Sequence, residues 1–179
     1  PLNFRGKKIG FPICEDIWHG DVVRHLVEQG AEIIVSPNGS HFTVGKQSVR
    51  EKLVLEQAQR YNVPFMYVNQ IGGQDDLIFD GGSFVVSNNE CSDSEATQFK
   101  KNIVSLNTEE FMYGLDLNTL PHTIDYNSDV YHACVLGLRD FIKKNGFKKV
   151  VIGNSGGLDS AMTAVIAVDA LGSDNVLLV

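Results

Sequence analysis

Lys149-Val-Val-Ile-Gly-Asn-Ser-Gly-Gly-Leu-Asp-Ser160 joins an apolar run to a turn of glycine and serine, and Ala161 to Leu171 continues it as an apolar stretch of helical length. The β-branched residues predict a buried strand over 149–153, a helix over 161–171 and a further strand over 176–179, which is an α/β unit. Gly156 and Gly157 let the backbone turn with positive φ, and consecutive amides can then converge on phosphate oxygens at the N-terminus of a helix. Ser155 and Ser160 add hydroxyl donors. Asp159 either caps the helix or helps hold a magnesium ion that screens the phosphates. The Gly-Lys-Ser/Thr ending of the common nucleotide loop is missing, which excludes that reading.

Working upstream, Ser128 reads as the cap of a helix whose apolar face is Tyr131, Val135, Leu138, Phe141 and Ile142, closed by Asn145-Gly146. Residues 116–127 carry no sustained period and include Pro121, which predicts a boundary: a first domain over 1–118, a linker over 119–127 and a second unit over 128–179. Within the first domain, 8–13, 32–36 and 63–69 read as strands. Helices fall between them, over 21–29 with Gly30 as the stop and over 47–61 with Val49, Leu53 and Ala58 inward. Strands alternating with helices imply crossover connections and a sheet covered by helices. Leu77-Ile-Phe, 83–87 and 97–106 read as an antiparallel extension joined by turns such as Asp80-Gly-Gly.

The 179 residues carry 15 Lys and Arg against 22 Asp and Glu, a formal charge of -7. That balance gives no electrostatic case for nucleic acid or a membrane surface. Cys14, Cys91 and Cys134 are too few and too scattered for a disulfide framework or a metal site, which fits a reducing cytoplasm. Cys134 reads as helix core, and Cys91, in a polar turn, as the thiol readiest to oxidise. The five histidines show no metal-ligand spacing. No run is long enough to span a membrane, and Pro1-Leu-Asn-Phe-Arg-Gly-Lys-Lys8 has no signal-peptide centre. With no initiator Met and a final strand with nothing after it, both ends read as cut from a longer chain.

Ile13-Cys14-Glu-Asp-Ile-Trp18 places a cysteine at the end of a strand, where a sulfur at the sheet rim can attack an amide carbonyl if a base and an oxyanion donor stand nearby. A lone cysteine is more often a small buried hydrophobe. Glu15 and Asp16 read as backbone caps ahead of any orienting role. With Asn38-Gly-Ser40, Gly45-Lys46, Tyr67-Val-Asn-Gln70, Gly72-Gly-Gln-Asp-Asp-Leu77 and Phe79-Asp-Gly-Gly-Ser83, this stretch resembles the second half of a nitrilase-type, carbon-nitrogen hydrolase domain. Ser155-Gly-Gly-Leu-Asp-Ser160 resembles the ATP-pyrophosphatase loop. The two in this order, with Val135-Leu-Gly-Leu-Arg-Asp-Phe141 between them, resemble the glutamine-dependent NAD synthetases.

The resemblance implies the C-terminal half of a nitrilase-type αββα domain followed by the first α/β unit of a Rossmann-like adenine-nucleotide α-hydrolase domain. It implies that Cys14 is the nucleophile that forms a glutamyl thioester, and that Ser40 and Lys46 hold glutamine. The ATP segment is then Gly153, Asn154, Ser155, Gly156, Gly157, Leu158, Asp159 and Ser160, with Asp159 a candidate magnesium ligand. Asn154 departs from the small or apolar residue expected there. The implied partners are glutamine, ATP with Mg2+ as substrate, and nicotinic acid adenine dinucleotide, with no prosthetic group, in a homo-oligomeric full-length protein. The family's glutamate base and oxyanion lysine fall upstream of the cysteine, so this stretch alone is expected to be inactive. Two other readings compete. A stand-alone nitrilase-type amidase leaves the phosphate loop unexplained, and a non-catalytic ATP-binding module leaves the Cys14 region unexplained.

Overall fold

The computed structural model describes residues 1–87, 90–92, 98–107, 111–112 and 125–179, with only the backbone of 90–92 included. Most of the 119–127 segment, His122 and the Cys91 side chain thus lie outside the described residues.

Six strands form the main sheet: β1 (Leu2–Phe4), β2 (Lys7–Gly10), β3 (Ile33–Asn38), β4 (Phe65–Asn69), β7 (Phe84–Ser87) and β8 (Glu90–Ser92), adjacent in that order. The centre, β2, β3 and β4, is parallel, whereas β1 on one side and β7 and β8 on the other are antiparallel to their neighbours. Register follows the side-chain alternation of the strands. Ile34 pairs with Phe65, and Phe65 with Val86, all facing a core with Val23, Val54 and Ala58 from the helices α1 (Asp21–Glu28) and α2 (Lys46–Tyr61). The intervening residues Ile33, Met66 and Val85 face Phe111 and Leu106 on the other side. Both faces are covered, as a parallel centre requires.

β5 (Ile71–Gln74) and β6 (Leu77–Asp80) form a separate hairpin through Asp75-Asp76. The second unit is a helix α3 (Tyr126–Lys144), then β9 (Val150–Ile152), α4 (Leu158–Leu171) and β10 (Val176–Leu178), with β9 and β10 parallel.

Several sequence expectations need correction. No strand covers 98–106: Phe99 sits at φ 62 and its N–H donates to the Asp80 carbonyl at 2.7 Å, so the chain leaves the extended region there. The ring is instead buried with Ala133 and Leu136 of α3. On α2 the buried face is Arg50, Val54, Gln57 and Ala58, with Leu53 packed against the core as expected, but Val49 is exposed, because a buried ion pair, not an apolar side chain, occupies the first inward turn. The α3 cap is Asp125, whose carboxylate accepts from the N–H groups of Asn127 and Ser128, each at 3.1 Å. The buried face of α3 is Ala133, Leu136 and Ile142, while Phe141 and Cys134 are exposed. The hairpin comes closest to this helix at Gly137. A Cβ on Gly137 would stand 2.9 Å from Ile78 Cδ1.

Candidate active site

Cys14 follows β2 by four residues and opens a short 3-10 turn, Cys14–Ile17. Its φ is 49, a left-handed conformation that a β-carbon disfavours and that surrounding contacts must enforce. Those contacts are visible. Ile13 N–H donates to Asp16 Oδ2 at 2.8 Å, Gln57 Nε2 to the Ile17 carbonyl at 3.0 Å, and Tyr61 Oη to the Gly20 carbonyl at 3.2 Å. Asp16 thus acts as a backbone cap. Glu15 is exposed and pairs only loosely with His19, at 3.8 Å. Trp18 packs against the core beneath the turn.

β3 and β4 are parallel to β2, which brings the loops after all three strands to one edge of the sheet, where ligands of α/β proteins bind. The β3 loop delivers Ser40, which is held on every polar atom. Its N–H donates to Asn69 Oδ1 at 2.9 Å, and its carbonyl accepts from Asn69 Nδ2 at 3.0 Å and an Arg50 Nη2 at 2.8 Å. Its Oγ accepts from Arg50 Nε at 3.1 Å. Lys46, at the start of α2, places its Nζ 4.9 Å from the Trp18 ring centroid, a cation–π contact that sets an ammonium beside the cysteine turn. The structure therefore gathers Cys14, Ser40 and Lys46 at one rim.

Reading the sequence alone misses Arg50 and gives no role to three further residues of this rim that its motifs contain: Tyr67, Asn69 and Asp80. Arg50 is fully buried and bidentate to Asp80, at 2.8 and 3.0 Å, and Gln98 Nε2 donates to the same carboxylate at 2.9 Å. Removing one partner of a buried pair like this costs about 3–5 kcal/mol, because a charge is left without compensation. Burial pushes the Tyr67 phenol above its ordinary range. The Arg50 charge and a hydrogen bond from Ser40 oppose that shift, and negative charge on Cys14 and Asp80 adds to it. The signal available in the sequence was the Asp80-Gly-Gly turn, which marks the position of Asp80 without naming its partner.

The phosphate loop is exposed and closed on itself. Gly156 sits at φ 78, the turn that a glycine was expected to make, whereas Gly157, expected to do the same, is extended at φ -83 because it stands as the N-cap of the following helix. Asn154 Oδ1 accepts from Ser160 Oγ at 3.1 Å and from the Gly156 N–H at 3.3 Å, and Gly157 N–H reaches Ser155 Oγ at 3.4 Å. The two amide contacts are long for hydrogen bonds and can be exchanged for a better acceptor. α4 begins at Leu158, so the last three residues of the motif lie in its first turn. Asp159 is exposed there. Among the described residues no cluster of three or more His, Cys, Asp or Glu is suited to a metal. A single carboxylate is nevertheless what magnesium takes from a protein when phosphate oxygens and water complete its shell.

The two halves meet at α3. Gly73 N–H donates to Asp140 Oδ2 at 2.9 Å, and Lys144 Nζ donates to the Gly73 carbonyl and, at 2.9 Å, to Gln74 Oε1. A cleft of about 470 Å³ lies along this seam, lined by Gly72, Lys101, Arg139 and Lys143 among others. On its other side α3 touches α4, where Tyr131 Oη donates to Asp169. That bond pushes the Tyr131 phenol upward.

Comparison with known proteins agrees with this division. Residues 1–106 match the carbon-nitrogen hydrolase family and residues 130–179 the NAD synthase family. The glutamine-dependent NAD(+) synthetases of Rhodobacter capsulatus and Synechocystis are 40% and 38% identical over 98% and 97% of this chain, which spans 32% and 33% of their lengths. The solved glutamine-dependent NAD+ synthetase of Acinetobacter baumannii, in complex with adenosine diphosphate, superposes with a TM-score of 0.87 at 35% identity. That match covers 99% of this chain and 34% of that one. The chain belongs to the carbon-nitrogen hydrolase family, joined in one polypeptide to an NAD synthase segment, and it is a relative of the glutamine-dependent NAD synthetases.

Proposed function

We propose that this chain is the junction of a glutamine-dependent NAD synthetase, a carbon-nitrogen ligase. Its first domain, over 1–118, releases ammonia from glutamine, and its second, from 128, uses that ammonia with ATP. The observation that carries the reading is the pairing in one chain of a cysteine at φ 49 on the sheet rim with a Ser-Gly-Gly-Leu-Asp-Ser loop at a helix N-terminus. α3 is hydrogen-bonded to the hairpin of the first domain on one side and to α4 on the other.

In the first half, Cys14 Sγ attacks the carboxamide carbon of glutamine. The sulfur–carbon bond forms, the carbon–nitrogen bond breaks, and ammonia leaves with the thiol proton passed on by a base. Water then cleaves the thioester to glutamate. The base and the oxyanion cation are expected upstream in the full-length protein. Ser40 and Lys46 hold the α-amino acid end of the substrate. In the second half, residues 153–160 receive the phosphates of ATP, and magnesium enters as part of that substrate, with Asp159 as the carboxylate it meets. Attack by the nicotinic acid carboxylate at the α phosphate releases pyrophosphate, and ammonia then displaces AMP to leave the amide. No helix among the described residues is long and apolar enough to cross a membrane.

The deciding experiment uses the full-length protein. Cys14→Ala abolishes glutamine-supported NAD formation and leaves ammonia-supported formation close to wild type. Loss of both in a folded variant overturns the reading.

A further inference from the structure

We infer that Gln57 of α2 is a positioning residue for the nucleophile: its carboxamide ties the Cys14 turn to the body of the domain and so fixes where the thiol stands. This rests on the reading of Cys14 as the glutaminase nucleophile.

The turn Cys14–Ile17 is held by two kinds of bond. The one from Ile13 N–H to Asp16 Oδ2, at 2.8 Å, is local to the turn and moves with it. A bond to another element is needed to fix the turn in place. Gln57 Nε2 supplies one at the last residue of the turn, the fully buried Ile17, whose carbonyl it meets at 3.0 Å. One helical turn along α2, Tyr61 Oη donates to the Gly20 carbonyl at 3.2 Å, beyond the end of the turn. The main chain runs hard against the Gln57 amide. A Cβ on Gly20 would stand 3.2 Å from Gln57 Nε2 and 3.3 Å from Oε1.

Stability does not account for that amide. Gln57 is 6% exposed, and no protein donor among the described residues reaches its Oε1. Reversing the amide would set this oxygen against the Ile17 carbonyl, a second acceptor. A buried acceptor left unpaired costs as much as a typical hydrogen bond contributes, or more. The side chain thus gains little over an apolar one of the same length, and what it adds is direction. Its donor pins the turn in which Cys14 keeps φ 49. A reacting group displaced by about 1 Å loses on the order of a hundredfold in rate without any contact to the substrate being broken.

The test uses Gln57→Met and Gln57→Glu in the full-length protein. Gln57→Met removes the donor and the unpaired oxygen together, two effects of similar size and opposite sign, so the thermal midpoint should move by no more than about 2 °C. The kcat for glutamate release should fall by about tenfold to a hundredfold. The KM for glutamine should change by less than about threefold, because Gln57 lies beneath the turn and offers nothing to the substrate. Gln57→Glu has a donor only while its carboxyl is protonated, so its kcat relative to that of Gln57→Met should climb as pH falls. Ammonia-supported NAD formation, unchanged in both, shows that the rest of the protein is folded. If Gln57→Met fails to fold, the same climb of Gln57→Glu, taken against the wild type, carries the test. A lowered midpoint with kcat within about threefold of the wild type marks a residue that only supports the fold and overturns the proposal. A rise in KM alone overturns it too, as does a Gln57→Glu kcat whose ratio to its reference does not change with pH. Failure of Cys14→Ala to separate glutamine from ammonia would instead overturn the functional reading beneath it.

Discussion

Asp140, on the helix that leads into the phosphate loop, accepts a hydrogen bond from the backbone N–H of Gly73, on the hairpin of the other half, at 2.9 Å. The contact joins residues 67 positions apart, and beside the cleft the two elements touch at their glycines. A Cβ on Gly73 would stand 3.3 Å from the Gly137 Cα, and one on Gly137 2.9 Å from Ile78 Cδ1. Gly137→Val should therefore overpack the seam and cost about 1–3 kcal/mol, read as a lowered thermal midpoint of the full-length protein. Glutamine-supported NAD formation should fall further than glutamate release, because the seam joins the two halves.

The backbone at Cys14 makes a second prediction, independent of its chemistry. At φ 49 a side chain is strained and glycine is not. Cys14→Ala and Cys14→Gly both remove the thiol, yet Cys14→Gly should be more stable by about 1 kcal/mol in denaturant unfolding. Equal stability would mean that the turn is not held in that conformation in solution.

Alkaline pH gives a third. Tyr67 has its folded pKa raised above the unfolded value of 10.0, chiefly by burial, against the opposing pull of Arg50 and Ser40 and with Cys14 and Asp80 adding to the rise. The neutral phenol is therefore favoured in the fold. The stability this contributes is fully present below pH 10 and is lost as pH rises through the folded value. Tyr67→Phe should flatten the alkaline decline of the thermal midpoint, measured beside the wild type over the same range.

Asn154 gives a fourth. Its carboxamide oxygen occupies two donors, the Gly156 N–H and the Ser160 hydroxyl, that a phosphate would need. ATP has to displace it, so Asn154→Leu should lower the KM for ATP about threefold in ammonia-supported NAD formation, the equivalent of one modest hydrogen bond. A raised KM would instead show that Asn154 shapes the loop for its ligand.

What could be read from the residues was what depends on neighbours in sequence. The apolar runs at 32–36 and 63–69, the stop at Gly30 and the turn at Gly156 are local physics; the strands they form run over 33–38 and 65–69, and the two glycines stand where expected. The Ser155–Ser160 loop was legible for the same reason. Arg50 was not, because an arginine on a helix is ordinarily solvated and its partner lies 30 positions away on a different element. Phe99 fails in the opposite sense. The stretch 97–106 reads as a strand, but packing of Phe99 against Ala133 and Leu136 of α3 outweighs that propensity. The expected cap, Ser128, turns out to be one of the capped residues: its N–H donates to Asp125, three positions earlier.

α3 is shared property: one side is bonded to the hairpin through Asp140 and Lys144, and the other to α4 through Tyr131. For protein engineering this fixes where the halves can be exchanged with those of a relative. A chimera joined between Asp80 and Tyr126 would set a foreign helix against the native hairpin, so Ile71–Asp80 and α3 have to be transplanted together as one cassette.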